Sequence, residues 1–131
     1  MPLNFLIVEA LYEFERFYGE AFRVEHPSGS DRFQTLPEIA RDLSARLAGL
    51  FLRGPDGRRP VLGDNALLQD DPHFRDLIPF HEYFDGDSGK GLGAAHQTGW
   101  TGLVALLLQR PRQPDGQPYG RRGNAGPGRS A

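Results

Sequence analysis

The sequence predicts an all-α fold, and three observations carry that reading. Apolar residues recur at helical spacing in three separate stretches, the pattern of helices with one face turned inward. A Thr35-x-x-Glu38 box opens the second of them, and such a box marks a helix start. Long connections rich in Gly, Pro and Asp join the three, and these residues end helices rather than continue them.

The first helix is expected over Leu3 to Tyr18, with Pro2 suited to its first turn. Ile7, Leu11, Phe14 and Tyr18 fall at spacings of four, three and four and make one apolar stripe. Leu3, Phe5, Leu6, Ile7 and Val8 leave the start of this helix apolar nearly all round, which asks for cover on more than one side. Gly19 is placed to end it. Phe22 to His26 reads as a short strand or an extended crossing, and Pro27-Ser28-Gly29-Ser30 as a turn.

The second helix follows the Thr35–Glu38 box, with Leu36, Ile39, Leu43, Leu47, Leu50 and Phe51 inward and Arg41, Asp42 and Arg46 outward. Pro37 is tolerated because it lies in the first turn. Gly54-Pro55-Asp56-Gly57 breaks the chain, and Arg58 to Gln69 reads as irregular, with an Asp-Gly turn and room for a small hairpin. Asp70 or Asp71 is expected to cap a short helical turn, Phe74 to Ile78, which Pro79 stops. The third helix is expected from about Thr98 to Gln109, with Trp100, Leu103, Val104 and Leu107 as its stripe. Residues 110–131 are rich in Gly, Pro and Arg without periodicity and read as a disordered tail. The folded domain is therefore expected over residues 1–109.

Composition narrows the classes. The chain has no Cys, which removes disulfides, thiolate chemistry and Cys-based zinc sites. Net charge is −2. The tail from Arg110 holds five Arg and one Asp, so it carries +4 and leaves −6 on the rest. A body of that sign is not a nucleic-acid surface. The apolar start is interrupted by Glu9 and has no basic leader, so it reads as neither a signal peptide nor a membrane span. A cytoplasmic protein is expected, with no membrane, nucleic acid, metal or cofactor in its chemistry.

The stretch from Phe80 to Trp100 stands apart. A carboxylate, Glu82, sits among aromatic residues, a Gly-rich turn follows, and a polar run, His96-Gln97-Thr98, opens an apolar helix. A packed core needs none of these polar groups. A sugar pocket needs most of them. Two long connections, from Arg53 and from Phe80, fit loops at the mouth of a site, because structureless loops above about 12–15 residues are usually functional.

The run Phe80-His81-Glu82-Tyr83-Phe84, then Gly89-Lys90-Gly91-Leu92-Gly93-Ala94, then His96-Gln97-Thr98-Gly99-Trp100 resembles the C-terminal end of glycoside hydrolase family 63 and of the related mannosylglycerate-hydrolase-like glycosidases. Met1-Pro2-Leu3-Asn4-Phe5-Leu6-Ile7-Val8 is similar to the Pro-x-Asn-apolar helix that precedes it there. The resemblance covers roughly Met1 to Gln109. It implies the last few helices of an (α/α)6 barrel with long active-site loops, and an inverting mechanism on α-linked sugars. Glu82 matches the general base. The general-acid aspartate belongs to a part of the barrel that this chain does not contain, so the missing N-terminal part of the barrel is the implied partner beside the carbohydrate substrate.

Tyr83, His96, Gln97 and Trp100 are the candidate substrate-binding residues. Two of them have a structural alternative: Gln97, with Thr98, also suits a helix cap, and Trp100 also suits the core stripe. Asp85 and Asp87 lie among glycines and read as turn formers. Gly86-Asp87-Ser88-Gly89-Lys90-Gly91 mimics a phosphate loop but lacks the Ser or Thr after the Lys. His26, His73 and His81 show no ligand spacing. The competing function is a non-enzymatic helical module that binds a partner through the apolar first helix.

Overall fold

The computed structural model describes residues 1–109, and the expected disordered tail lies outside the described residues. The order of elements is helix α1 (Pro2–Tyr18), strands β1 (Arg23–Glu25) and β2 (Phe33–Thr35), helix α2 (Leu36–Gly49), a 3-10 turn at Pro60–Leu62, helix α3 (Ala66–Asp70), strands β3 (Tyr83–Phe84) and β4 (Gly91–Leu92), and helices α4 (Thr98–Thr101) and α5 (Val104–Gln109).

The expectation of an all-α segment of an (α/α)6 barrel is overturned. The fold is mixed, with two antiparallel two-stranded sheets among the helices. In one, Arg23 pairs with Thr35, Val24 with Gln34 and Glu25 with Phe33, which settles Phe22 to His26 as a strand. In the other, Tyr83 pairs with Leu92 and Phe84 with Gly91. The physical reason is local. A loop that crosses this chain's surface must pair its backbone N–H and C=O groups, and the Gly-rich turn after Phe84 lets the chain double back and pair with itself.

α1 and α2 form as expected, with one change of face. Pro2 sits at the start of α1, and Gly19 ends it at φ 78° with its N–H donating to Glu15 O. The inward face is Val8, with Phe5, Leu11 and Tyr12, packed against Ala40, Leu43, Leu47 and Leu107. Of the predicted stripe only Leu11 joins it, because Ile7, Phe14 and Tyr18 are exposed. A helix apolar on several sides gives no unique inward stripe, and the tertiary partner chooses. α2 carries the complete capping box: Glu38 N donates to Thr35 Oγ1, and Thr35 N donates to Glu38 Oε2 at 2.7 Å.

The predicted third helix is two pieces, interrupted at Gly102 and Leu103. Val104 and Leu107 are buried as expected, whereas Trp100 is 53% exposed and does not belong to the core. The segment 58–79 is also redrawn. Asn65 caps α3 by accepting from Leu68 N, and Phe74 to Ile78 is turn and coil rather than helix. Gln69 is 4% exposed and ties this irregular segment together. Its Oε1 accepts from Arg59 N at 3.0 Å, and its Nε2 donates to Arg59 O and Gly63 O, each at 2.9 Å. A second cluster, Phe51, Val61, Leu62 and Val104, packs beneath the β3–β4 hairpin with Phe80 and Phe84 against it.

Candidate functional site

The hairpin positions Glu82. Its turn is set by Asp85, whose Oδ1 accepts from Ser88 N at 2.8 Å, Ser88 Oγ at 2.7 Å and Asp87 N at 3.2 Å. These donors, the Ser88 N–H foremost, hold the Asp85 carboxyl below its ordinary value. Asp85 is thus a turn former, as its glycine neighbours imply. Asp85 N donates to Lys90 O at 2.8 Å and Gly89 N to Asp85 O at 3.0 Å. The phosphate-loop look-alike is therefore a closed hairpin turn.

Beyond the strands, backbone bonds tie residues 80–82 to the polar run. Glu82 N donates to Ala94 O at 2.9 Å and Gln97 N to Phe80 O at 2.8 Å, and Phe80 and His96 form a bridge. Thr101, fully buried, donates its hydroxyl to His81 O. The Glu82 carboxylate stays exposed, and its Oε2 faces Ala94 N at 3.4 Å. Gly93, at φ +71°, makes this possible. A Cβ there would stand 2.7 Å from Glu82 Oε2 and 2.7 Å from Tyr83 Cε1, so the acid and the phenol flank the same point.

His81 packs its ring against Gly91, where a Cβ would stand 2.2 Å from His81 Cδ2. Its Nδ1 is buried and has no hydrogen-bond partner among the described residues. Burial holds the imidazole below its ordinary value, because a cation there loses water and gains no acceptor.

The backbone brings Glu82, Tyr83, His96 and Gln97 into one strip, and Trp100 follows in the sequence on α4. Gln97 occupies the cap position of α4 without a side-chain capping bond, so its amide is not spent on the helix. Tyr83 and Trp100 are each about half exposed, at 54% and 53%. A cleft of about 760 Å³ lies on the other side of the hairpin, between α1, α2 and the Asp85–Gly89 turn. Of the five candidate residues only Tyr83 lines it, alongside Asn4, Arg46, Leu47, Leu50 and Asp87. Asn4 and Arg46 meet there only because α1 packs on α2, and no local sequence signal announces that. Gly93 had a signal, its place in the Gly-rich run, but it lies eleven positions beyond Glu82.

Among the described residues no group of His, Asp or Glu is arranged to hold a metal ion, and no helix is long and apolar enough to cross a membrane.

Over 109 residues the chain is 51% identical to the uncharacterized protein YMR196W of Saccharomyces cerevisiae. The match takes in 82% of this chain and 10% of the yeast protein, so the chain spans about a tenth of the length of that relative. No family model matches the chain, and no solved structure matches it.

Proposed function

We propose that this chain is a segment of an inverting α-glycosidase, with Glu82 as the general base. The carrying observation is the way Glu82 is held. Its backbone is fixed by the 2.9 Å bond to Ala94 O, its Oε2 rests over Ala94 N, and the carboxylate remains open to water. A base needs that combination of fixed direction and access. In the reaction Glu82 takes a proton from water, and the water oxygen attacks the anomeric carbon as the bond to the leaving oxygen breaks. A second carboxyl group, about 6.5–9.5 Å away in inverting enzymes, protonates that oxygen.

On this reading the acid comes from polypeptide outside the described residues. The share of the yeast relative that the chain covers, about a tenth, supports a site completed by further sequence. Tyr83 and Trp100 offer ring faces to the sugar, and His96 and Gln97 offer donors and acceptors to its hydroxyls. The test is to join or mix the chain with the remaining part of the longer protein and follow an aryl α-glucoside by proton NMR. Release of β-glucose that Glu82→Gln abolishes and azide restores as a β-glycosyl azide is expected. Unchanged turnover in Glu82→Gln overturns the assignment.

A second reading, a non-enzymatic module that binds through α1, is favoured by a different observation. Leu3 and Phe17 on α1 are 70% and 81% exposed, and contiguous apolar patches on a protein surface mark contacts. A cooperatively melting particle with fixed aromatic packing supports the module. A non-cooperative, dye-binding species counts against it.

A further inference from the structure

The outward row of α1 says more about its partner than exposure alone. Leu3, Ile7, Ala10, Phe14 and Phe17 recur at intervals of four, three, four and three. That spacing keeps one seam turned toward a second helix along its length. The row is separate from the inward face built on Val8. Leu3, Ile7, Phe14 and Phe17 are all exposed, and Ala10 between them is partly so.

Three features of the row fit a second copy of α1 running antiparallel. Ala10 lies at its centre, seven residues from Leu3 and seven from Phe17, and a small residue at a crossing lets two helix backbones approach. The aliphatic residues occupy the N-terminal half and the large rings the C-terminal half, so reversal sets Leu3 against Phe17 and Ile7 against Phe14. Charge runs the same way. The first turn of α1 has no acid, while Glu13, Glu15 and Glu20 lie toward the other end against a single Arg16. Antiparallel pairing brings those opposite ends, and the opposite ends of the two helix dipoles, together.

We propose that two copies of this chain pair through α1 about a two-fold axis at Ala10, a self-complementary interface of the commonest oligomeric kind. The proposal rests on the module reading, to which it gives a partner.

The chain has no cysteine, so single thiols read the geometry directly. In the full chain, Ala10→Cys is expected to form a disulfide-linked dimer on mild oxidation, because the two thiols meet at the axis. Leu3→Cys alone is expected not to, whereas Leu3→Cys mixed with Phe17→Cys gives the mixed dimer. Light scattering is expected to find the unmodified chain dimeric at tens of micromolar. Phe17→Glu is expected to weaken the dimer about 30-fold or more, as replacing a buried aromatic anchor by a charge does, with the helical signal unchanged. Three results overturn the pairing: a cooperatively melting monomer, a Leu3 thiol that pairs with its own twin, or a dimer indifferent to Phe17→Glu. The first of these leaves the module reading standing. A non-cooperative, dye-binding particle overturns both.

Discussion

Ala94 meets Glu82 twice, once at its main chain and once at its carboxylate. The N–H of Glu82 donates to Ala94 O at 2.9 Å, and Ala94 N faces Glu82 Oε2 at 3.4 Å. The residue between the strand and this contact is Gly93, and both its positive φ and the space beside it are used.

Gly93→Ala is therefore expected to act twice. A side chain at φ +71° costs about 1–3 kcal/mol in backbone strain, and its methyl displaces Glu82 and Tyr83. Urea unfolding measures the first effect, and carbon NMR of the Glu82 carboxyl measures the second. Gly49→Ala is the control. No atom lies within 4 Å of the added carbon there and φ is not positive, so no loss of stability is expected.

The capping box predicts a pH dependence. Hydrogen bonds from Thr35, the backbone N–H first and the hydroxyl second, hold Glu38 below its ordinary carboxylate value. A lowered carboxyl contributes stability above its unfolded value and loses it as pH falls through the folded one. Glu38→Gln is expected to flatten the acid limb of the stability curve. Thr35→Ala is expected to cost about 1 kcal/mol near neutrality. Thermal melts across pH check both.

His81 predicts a second acid-sensitive step. Burial lowers its imidazole, so the folded state disfavours the proton. The stability it leaves is complete above the unfolded value, about 6.5, and declines as pH falls from there through the lower folded one. The bonds that anchor its segment are Thr101 to His81 O and Gln97 N to Phe80 O. Exchange of the Gln97 and Glu82 amides is expected to accelerate over that window, and His81→Leu to abolish the acceleration.

Gln69 makes three bonds from one buried amide. At about 1 kcal/mol net for each, Gln69→Leu is expected to cost roughly 2–4 kcal/mol, because it removes all three bonds and leaves Arg59 N and Gly63 O without the amide, while Arg59 O keeps the Leu62 N–H. Denaturant unfolding measures it.

The helices that carry their own start and stop residues were legible: Pro2 and Gly19 bound α1, and Thr35 with Glu38 opens α2. What failed depended on distant partners. The inward face of α1 was misread because Ile7, Phe14 and Tyr18 are as apolar as Val8, and only α2 decides among them. Of the four strands only the one at Arg23–Glu25 was offered, as an alternative to an extended crossing, because strands of two or three residues have too few alternations to show a period. The overturned barrel fold came from the resemblance rather than from any spacing. At the candidate site, Glu82, Tyr83, His96 and Gln97 stood in one run of sequence, but the pairing of Phe80 and Glu82 with residues 94–97 that draws them together gave no local signal. The exposure of Trp100 was not legible either, because its neighbours Val104 and Leu107 are buried.

Lys90 is the only lysine in the chain, and its aliphatic stem lies over Gly63, close enough that a Cβ there would stand 2.7 Å from its Cδ. Amine-directed chemistry thus meets a single side chain, stationed where the hairpin crosses the 3-10 turn. Reductive methylation with labelled formaldehyde would give one lysine resonance. Its shift would report, without any mutation, whether the arm that bears Glu82 is seated or lifted.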